Sequence, residues 1–173
     1  MTGCVTGQIK AAPVTFVLGG ARSGKSAHAE ALIEATPPPW RYVATAQAFD
    51  DEMRARISAH RARRDERWRT VEAPLDLPVA LATPAPVLID CLTLWLTNLM
   101  LAERRPDGPA LLAALDARAA PTVIVSNEVG LGIVPDNALA RAFRDEAGRL
   151  HQLVAARADH VVFMVAGIPM VVK

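Results

Sequence analysis

The sequence predicts an α/β fold, with one mostly parallel sheet covered by helices on both faces. Three observations carry that expectation. Short, near-continuous apolar runs alternate with segments of helical period, the pattern of strands buried on both faces. The first run, Val14-Thr15-Phe16-Val17-Leu18, leads into a small-residue segment and then a helical pattern. A later run, Pro86-Val87-Leu88-Ile89, closes on Asp90. Ligands of such folds sit beyond the carboxyl ends of the strands, so each candidate residue is judged by that position.

In chain order, strands are expected at 14–18, 41–44, 87–90, 122–126 and 160–165, with a short last strand near 170–172. Helices are expected at about 25–35, 50–67, 92–103, 110–117 and 136–156. Pro37-Pro38-Pro39 marks a firm loop between the first helix and the second strand. Cys91-Leu92-Thr93 supports a helix start after Asp90, with Thr93 available as a cap. In the last helix Leu139, Phe143, Ala147, Leu150 and Val154 fall on one stripe, and Asp136 after Pro135 is the expected N-cap.

At 173 residues the chain is most simply one domain, long enough to bury a sizeable core. Apolar residues make up 51% but aromatics only 5%, so Ala, Val, Leu and Ile must build that core. Lys plus Arg total 19 against 18 for Asp plus Glu, so no global field recruits nucleic acid or membrane. Cys4 and Cys91 form neither a metal spacing nor a disulfide framework, which suits a cytoplasmic setting. Residues 1–13 read as an N-terminal extension and not a signal peptide, leaving 14–173 as a single catalytic domain. The longest apolar stretch, 92–102, is broken by Thr93, Thr97 and Asn98 and is too short to span a bilayer.

The segment Gly19, Gly20, Ala21, Arg22, Ser23, Gly24, Lys25, Ser26 is a complete G-x-x-x-x-G-K-[ST] motif between a strand and a helix. Small residues let the backbone close around a polyphosphate, with N–H groups pointing inward and a helix N-terminus behind them. Lys25 then reaches the β/γ phosphates and the Ser26 hydroxyl can ligate Mg²⁺, so the chain is expected to bind a nucleoside triphosphate. Asp90, at the end of an apolar strand, fits the carboxylate that helps hold that metal, although strands also end in Asp as a cap for the next helix. Ala44-Thr45-Ala46 is either a close approach for a nucleotide or an ordinary bend.

The segment 50–69 is the second informative feature. On a helical wheel Met53, Ile57, His60 and Arg64 share one face, flanked by Arg56, Arg61 and Arg63. One reading is a solvated, charge-laced helix with a satisfied histidine. The other is an imidazole that attacks phosphorus while guanidinium groups hold the phosphate oxygens. His28, His151 and His160 lack that setting and read as structural. A third segment, 126–135, places Asn127 and Glu128 at a strand's carboxyl end, with Gly130 and Gly132 giving loop freedom. It reads equally as a functional loop or a long connection. No Asn-Lys-x-Asp motif is present, which argues against a regulatory GTPase.

Together GGARSGKS, the DDEM…RI…HRARR helix, WRTVE, LIDCLT and SNEVGLGIVPDN…AR.FRDEAGR resemble one family from about Phe16 onward. It is the bifunctional adenosylcobinamide kinase / adenosylcobinamide-phosphate guanylyltransferase family of cobalamin biosynthesis. The resemblance implies a RecA-like P-loop NTPase fold assembled as a homotrimer, for which the apolar 92–100 helix is a candidate contact. It implies phosphorylation of adenosylcobinamide by ATP or GTP, then transfer of GMP from GTP to that phosphate through a histidine, yielding adenosylcobinamide-GDP. By resemblance His60 is the guanylylated residue, and Gly19 to Ser26 hold the triphosphate. Ala44, Thr45, Ala46, Arg61, Ala62, Arg63, Arg64, Glu72 and Asp90 are likewise nucleotide contacts by resemblance. Nothing in the composition itself points to a corrinoid.

Two other readings compete. A monofunctional small-molecule kinase would leave His60 a packed or phosphate-binding residue and would form no protein–GMP adduct. A RecA-like ATP-driven module on nucleic acid or a partner protein is disfavoured by the near-neutral charge and the lack of a basic groove.

Overall fold

The computed structural model describes residues 12–48, 51–62 and 64–173; within 51–62 the side chains of Glu52, Met53, Arg56, Ile57, Ala59 and His60 are not described. The strands are β1 (Val14–Gly19), β2 (Trp40–Ala44), β3 (Trp68–Glu72), β4 (Val87–Asp90), β5 (Thr122–Asn127), β6 (His160–Val165) and β7 (Ile168–Val171). The helices are α1 (Lys25–Glu34), α2 (Asp51–Ala62), α3 (Leu77–Ala80), α4 (Leu92–Leu101), α5 (Gly108–Asp116) and α6 (Ala138–Arg157).

The strands form one sheet in the order β3-β2-β4-β5-β1-β6-β7. Every pairing is parallel except β6 with β7. That hairpin turns on Ala166 and Gly167, both at positive φ, as a two-residue hairpin turn requires. This is the expected RecA-like P-loop α/β fold, with β5 standing between β1 and β4.

Strand alternation divides the core. Val14, Phe16, Val43, Val87, Ile89, Ile124 and Val161 face one side and pack with α3, α4, α5 and α6. Val17, Tyr42, Leu88, Val123, Val125 and Val162 face the other and pack with Ala29 and Ile33 of α1. The tryptophans lie inside too: Trp40 and Trp68 pack at 5.2 Å between ring centres, and Trp95 Nε1 donates to the Leu75 carbonyl. Below the sheet, Arg118 is buried and donates to the carbonyls of Leu81, Thr83 and Ala85 and to the Thr122 hydroxyl. It thereby ties the α3–β4 connection to β5, and burial pulls its pKa down to about 10.

The parallel pairings align the carboxyl ends. Gly19 stands opposite Asn127, Asp90 opposite Val125 and Ala44, and Ala44 opposite Glu72. Several expectations change. The helix expected over 50–67 ends at Ala62, and the WRTVE segment after it is the edge strand β3. A short helix, α3, was not expected. Asn137, not Asp136, caps α6, its Oδ1 accepting from Ala140 N at 2.7 Å, because the first helical residue is Ala138. Leu92, Trp95, Leu96 and Leu99 of α4 are buried within this chain, while Leu101 at its end is 63% exposed. Of the α6 stripe, Ala147, Leu150 and Val154 are buried, but Leu139 is 65% exposed. Ala12 N donates to the Arg118 carbonyl, so packing begins two residues before Val14.

Candidate active site

The phosphate loop starts where β1 runs out. A Cβ on Gly19 would lie 2.7 Å from the Met164 carbonyl oxygen and from Ser23 Oγ, so a side chain there would push the loop off β6. Gly24 precedes α1 at φ +93°, a conformation costly for any residue with a Cβ. Gly167 N donates to the Ser23 carbonyl, so the β6–β7 turn buttresses the loop from outside.

Lys25 opens α1 and is buried, with its ammonium donating to the Gly20 carbonyl. Burial pulls its pKa down, opposed by Cys91 and Asp90 nearby. Ser26 Oγ donates to Asp90 Oδ2 at 3.1 Å, and the same oxygen accepts from Tyr42 Oη at 3.0 Å. Burial, followed by the Asp90 charge, holds the Tyr42 phenol far above its usual range, so it remains a donor.

These groups open into a cavity of about 910 Å³. Its wall includes the loop residues Arg22 to Ser26, Ala44 and Ala46 at the end of β2, Thr70 and Glu72 on β3, and Asn127 on β5. Arg61 and Arg64 close it from the α2 side. Arg61 lies 3.5 Å from Glu72, an exposed pair worth little in stability. Behind the wall, Thr45 Oγ1 donates to the Cys91 carbonyl and accepts from Cys91 N, while Asn98 Nδ2 donates to the Thr45 and Pro74 carbonyls. Burial pushes the Cys91 thiol up to about 11, so it stays a neutral packing group.

A complete phosphate-loop motif, a hydroxyl beside a carboxylate, and arginines lining the same cavity describe a nucleotide site on a parallel sheet. The cobinamide kinase / cobinamide phosphate guanyltransferase family matches residues 15–172, nearly the whole chain. The chain belongs to that family. It is therefore a bifunctional transferase of the kinase and guanylyltransferase type. It is similar to the bifunctional adenosylcobalamin biosynthesis protein CobP of Pseudomonas aeruginosa, with 51% identity over 166 residues, covering 91% of this chain and 96% of that one. To the corresponding CobU protein of Salmonella typhimurium it is 46% identical over 179 residues, covering 91% and 98%. A solved structure from Pyrococcus horikoshii OT3 shares the fold at TM-score 0.56 and 7% identity, covering 93% of this chain and 86% of that one.

Within this family member, the residues predicted from sequence divide into groups. Lys25, Ser26 and Asp90 come together, with Ala44, Ala46, Arg61, Arg64 and Glu72 around them. Thr45 is fully buried and does not reach the cavity; its side chain holds the Asp90–Cys91 turn. Ala62 is exposed on α2 outside the cavity wall, and Arg64 follows the helix instead of sharing its face. His60 lies in the last turn of α2, its side chain outside the described residues, as is the whole of Arg63.

Of the 126–135 segment, Asn127 lines the cavity and donates from Nδ2 to Thr93 Oγ1 at 3.0 Å. Glu128 turns to the other face, where its Oε1 accepts from Gly130 N. Among the histidines set aside, His151 is buried against Ser126 at 2.8 Å. Sequence reasoning missed Tyr42, Gln47 and Thr70 in the wall. The signal for Tyr42 was strand parity, since it shares a face of β2 with Ala44.

Proposed function

We propose that this enzyme phosphorylates adenosylcobinamide with ATP or GTP and then passes GMP from GTP, through His60, to adenosylcobinamide phosphate. The product is adenosylcobinamide-GDP, an intermediate on the way to adenosylcobalamin. One observation carries the reading. The phosphate loop, Asp90, and Arg61 and Arg64, one and four positions after His60 in sequence, border one cavity.

In the first step the hydroxyl of the aminopropanol arm attacks the γ-phosphorus; the new P–O bond forms as the bond to the nucleoside diphosphate breaks. The loop from Gly19 to Ser26 holds the triphosphate, and Lys25 offsets charge on its β/γ oxygens. In the second step a neutral His60 nitrogen attacks the α-phosphorus of GTP and pyrophosphate leaves. A phosphate oxygen of the acceptor then displaces the imidazole, giving the diphosphate and restoring His60. Arg61 and Arg64, with Arg63 by resemblance, bind the phosphates; Ala44, Ala46 and Glu72 border the nucleoside. Splitting one phosphate–phosphate condensation into two displacements is what the histidine contributes.

The donors at Ser26 and Asp90, a hydroxyl and a carboxylate 3.1 Å apart, are the hard oxygens that suit Mg²⁺. When bound there it would offset charge on the phosphate oxygens. No helix among the described residues is long and apolar enough to cross a membrane. We assign the enzyme to the cytoplasm as a homotrimer that needs no nucleic acid; sedimentation of the purified chain tests the assembly.

The decisive experiment is peptide mass spectrometry after brief GTP exposure at alkaline pH, where a phosphoramidate persists. A GMP adduct is expected on His60, acid-labile and alkali-stable. His60→Ala is expected to keep measurable kinase activity, form no adduct and make no adenosylcobinamide-GDP. A guanylyl group on Lys25 or on another histidine would overturn the assignment.

A further inference from the structure

One side chain outside the assigned set joins two of the cavity's charged groups. Tyr42 is 5% exposed on β2. Its hydroxyl donates to Asp90 Oδ2 at 3.0 Å, the oxygen that also accepts from Ser26. The face of its ring carries the Arg64 guanidinium, whose central carbon lies 3.5 Å from the ring centre. The Trp68 ring meets Tyr42 edge-on at 6.3 Å and 78°, which fixes the plane on which Arg64 rests.

Arg64 is an unusual cavity residue. Its side chain is 6% exposed, with Nη1 3.7 Å from Glu30 Oε1, too far for a hydrogen bond. Its Nε and Nη1 donate to nothing among the described residues. Burying donors without acceptors is costly. A stacked guanidinium keeps its N–H edge in plane for oxyanions, the geometry that suits phosphate. The ring underneath then holds the charge in place.

We infer that Tyr42 is a positioning residue that sets the Asp90 carboxylate with its hydroxyl and the Arg64 guanidinium with its ring, both toward the same triphosphate. Ser26 alone leaves the Asp90 carboxylate one donor on which to pivot; the phenol supplies a second from the neighbouring strand. The two parts of the side chain can be removed separately. Tyr42→Phe deletes the hold on Asp90 and keeps the platform for Arg64. Tyr42→Leu deletes both. The inference rests on the nucleotide reading of the cavity, and its test does not use turnover.

The test is calorimetric binding of GTP to the full chain, once in EDTA and once with Mg²⁺. Tyr42→Phe is expected to bind metal-free GTP within about twofold of wild type, while the tightening that Mg²⁺ confers shrinks about tenfold. Tyr42→Leu is expected to lose about fivefold in metal-free affinity as well. In an Arg64→Met background Tyr42→Leu should cost no further metal-free affinity, because the platform has nothing left to hold. If Tyr42→Leu does not fold, Arg64→Lys, which keeps the charge but not the planar stack, replaces it and should show the same metal-free loss. An undiminished Mg²⁺ effect in Tyr42→Phe overturns the inference. So do equal metal-free affinities of the Phe and Leu variants, or losses of Tyr42→Leu and Arg64→Met that simply add. A wild-type chain that binds GTP but carries no His60 adduct removes the two-step reading and leaves these comparisons standing. A wild-type chain that does not bind GTP overturns both.

Discussion

Asp90 Oδ2 accepts from two hydroxyls, Ser26 and Tyr42, so its charge is oriented before any ligand arrives. An amide in its place would keep the shape and lose the charge that a hard cation requires. Asp90→Asn is therefore expected to shift the Mg²⁺ titration of both activities to higher concentration; an unshifted titration would remove Asp90 from the metal's surroundings. On the opposite face His151 is held differently. Its Nε2 lies 2.8 Å from Ser126 Oγ, and its Nδ1 is 3.8 Å from Glu128 Oε2, an attraction across a gap and no hydrogen bond. Burial outweighs that attraction and holds the imidazole below its usual 6.5. A histidine with a depressed folded pKa favours the native state fully above 6.5 and less as pH falls through the folded value. Urea midpoints are thus expected to decline below about pH 6.5 in wild type and to decline less steeply in His151→Gln. An identical slope in both would place the acid sensitivity elsewhere.

Among the elements, α6 depends on a visible cap. Asn137 Oδ1 accepts from Ala140 N, and at the far end the Lys173 ammonium donates to the carbonyls of Ala155, Ala156 and Ala158. Asn137→Ala is expected to cost about 1 kcal/mol, a fall in Tm of roughly 2–4 °C for a chain of this size; no change would mean that the loop before α6 recaps it. The strands at 14–18, 87–90 and 160–165 were legible because a strand buried on both faces needs little besides apolar side chains. β3 was not, since Trp68-Arg69-Thr70-Val71-Glu72 lies at the sheet edge with only Trp68 buried, and its charges continue the pattern of the preceding helix. α3, only four residues long with a proline inside, carries no period to detect. The site divides similarly. The phosphate loop is contiguous in sequence, so its residues declare themselves. In its inferred role Tyr42 acts through Asp90 and Arg64, 48 and 22 positions away; the β2–β4 register brings the first to it and the fold of the segment after α2 the second. The displacement of Thr45 from cavity to buried brace has the same origin, because its partner, the Cys91 peptide, lies on another strand's end.

At the scale of the molecule, the parallel sheet brings six strand ends to one edge and the cavity collects there, beside a single phosphate loop. In the proposed scheme, two reactions that both begin with a triphosphate share one cradle in turn. Lys25 is where they cannot be separated: it is buried, it points back into the loop at the Gly20 carbonyl, and β/γ oxygens would take that place in either step. Removing one preorganised donor to developing phosphate charge costs on the order of a hundredfold or more in rate. Lys25→Ala is expected to lower adenosylcobinamide phosphorylation and formation of the His60–GMP adduct together by at least that factor. The far-UV signal and thermal transition should survive, since α1 is held by Ala29 and Ile33 in the core and not by Lys25. The two losses are measured on one preparation, by phosphoryl transfer to adenosylcobinamide and by label retained from α-labelled GTP. Normal kinase turnover alongside a lost adduct would require a second nucleotide site and break the one-cradle scheme.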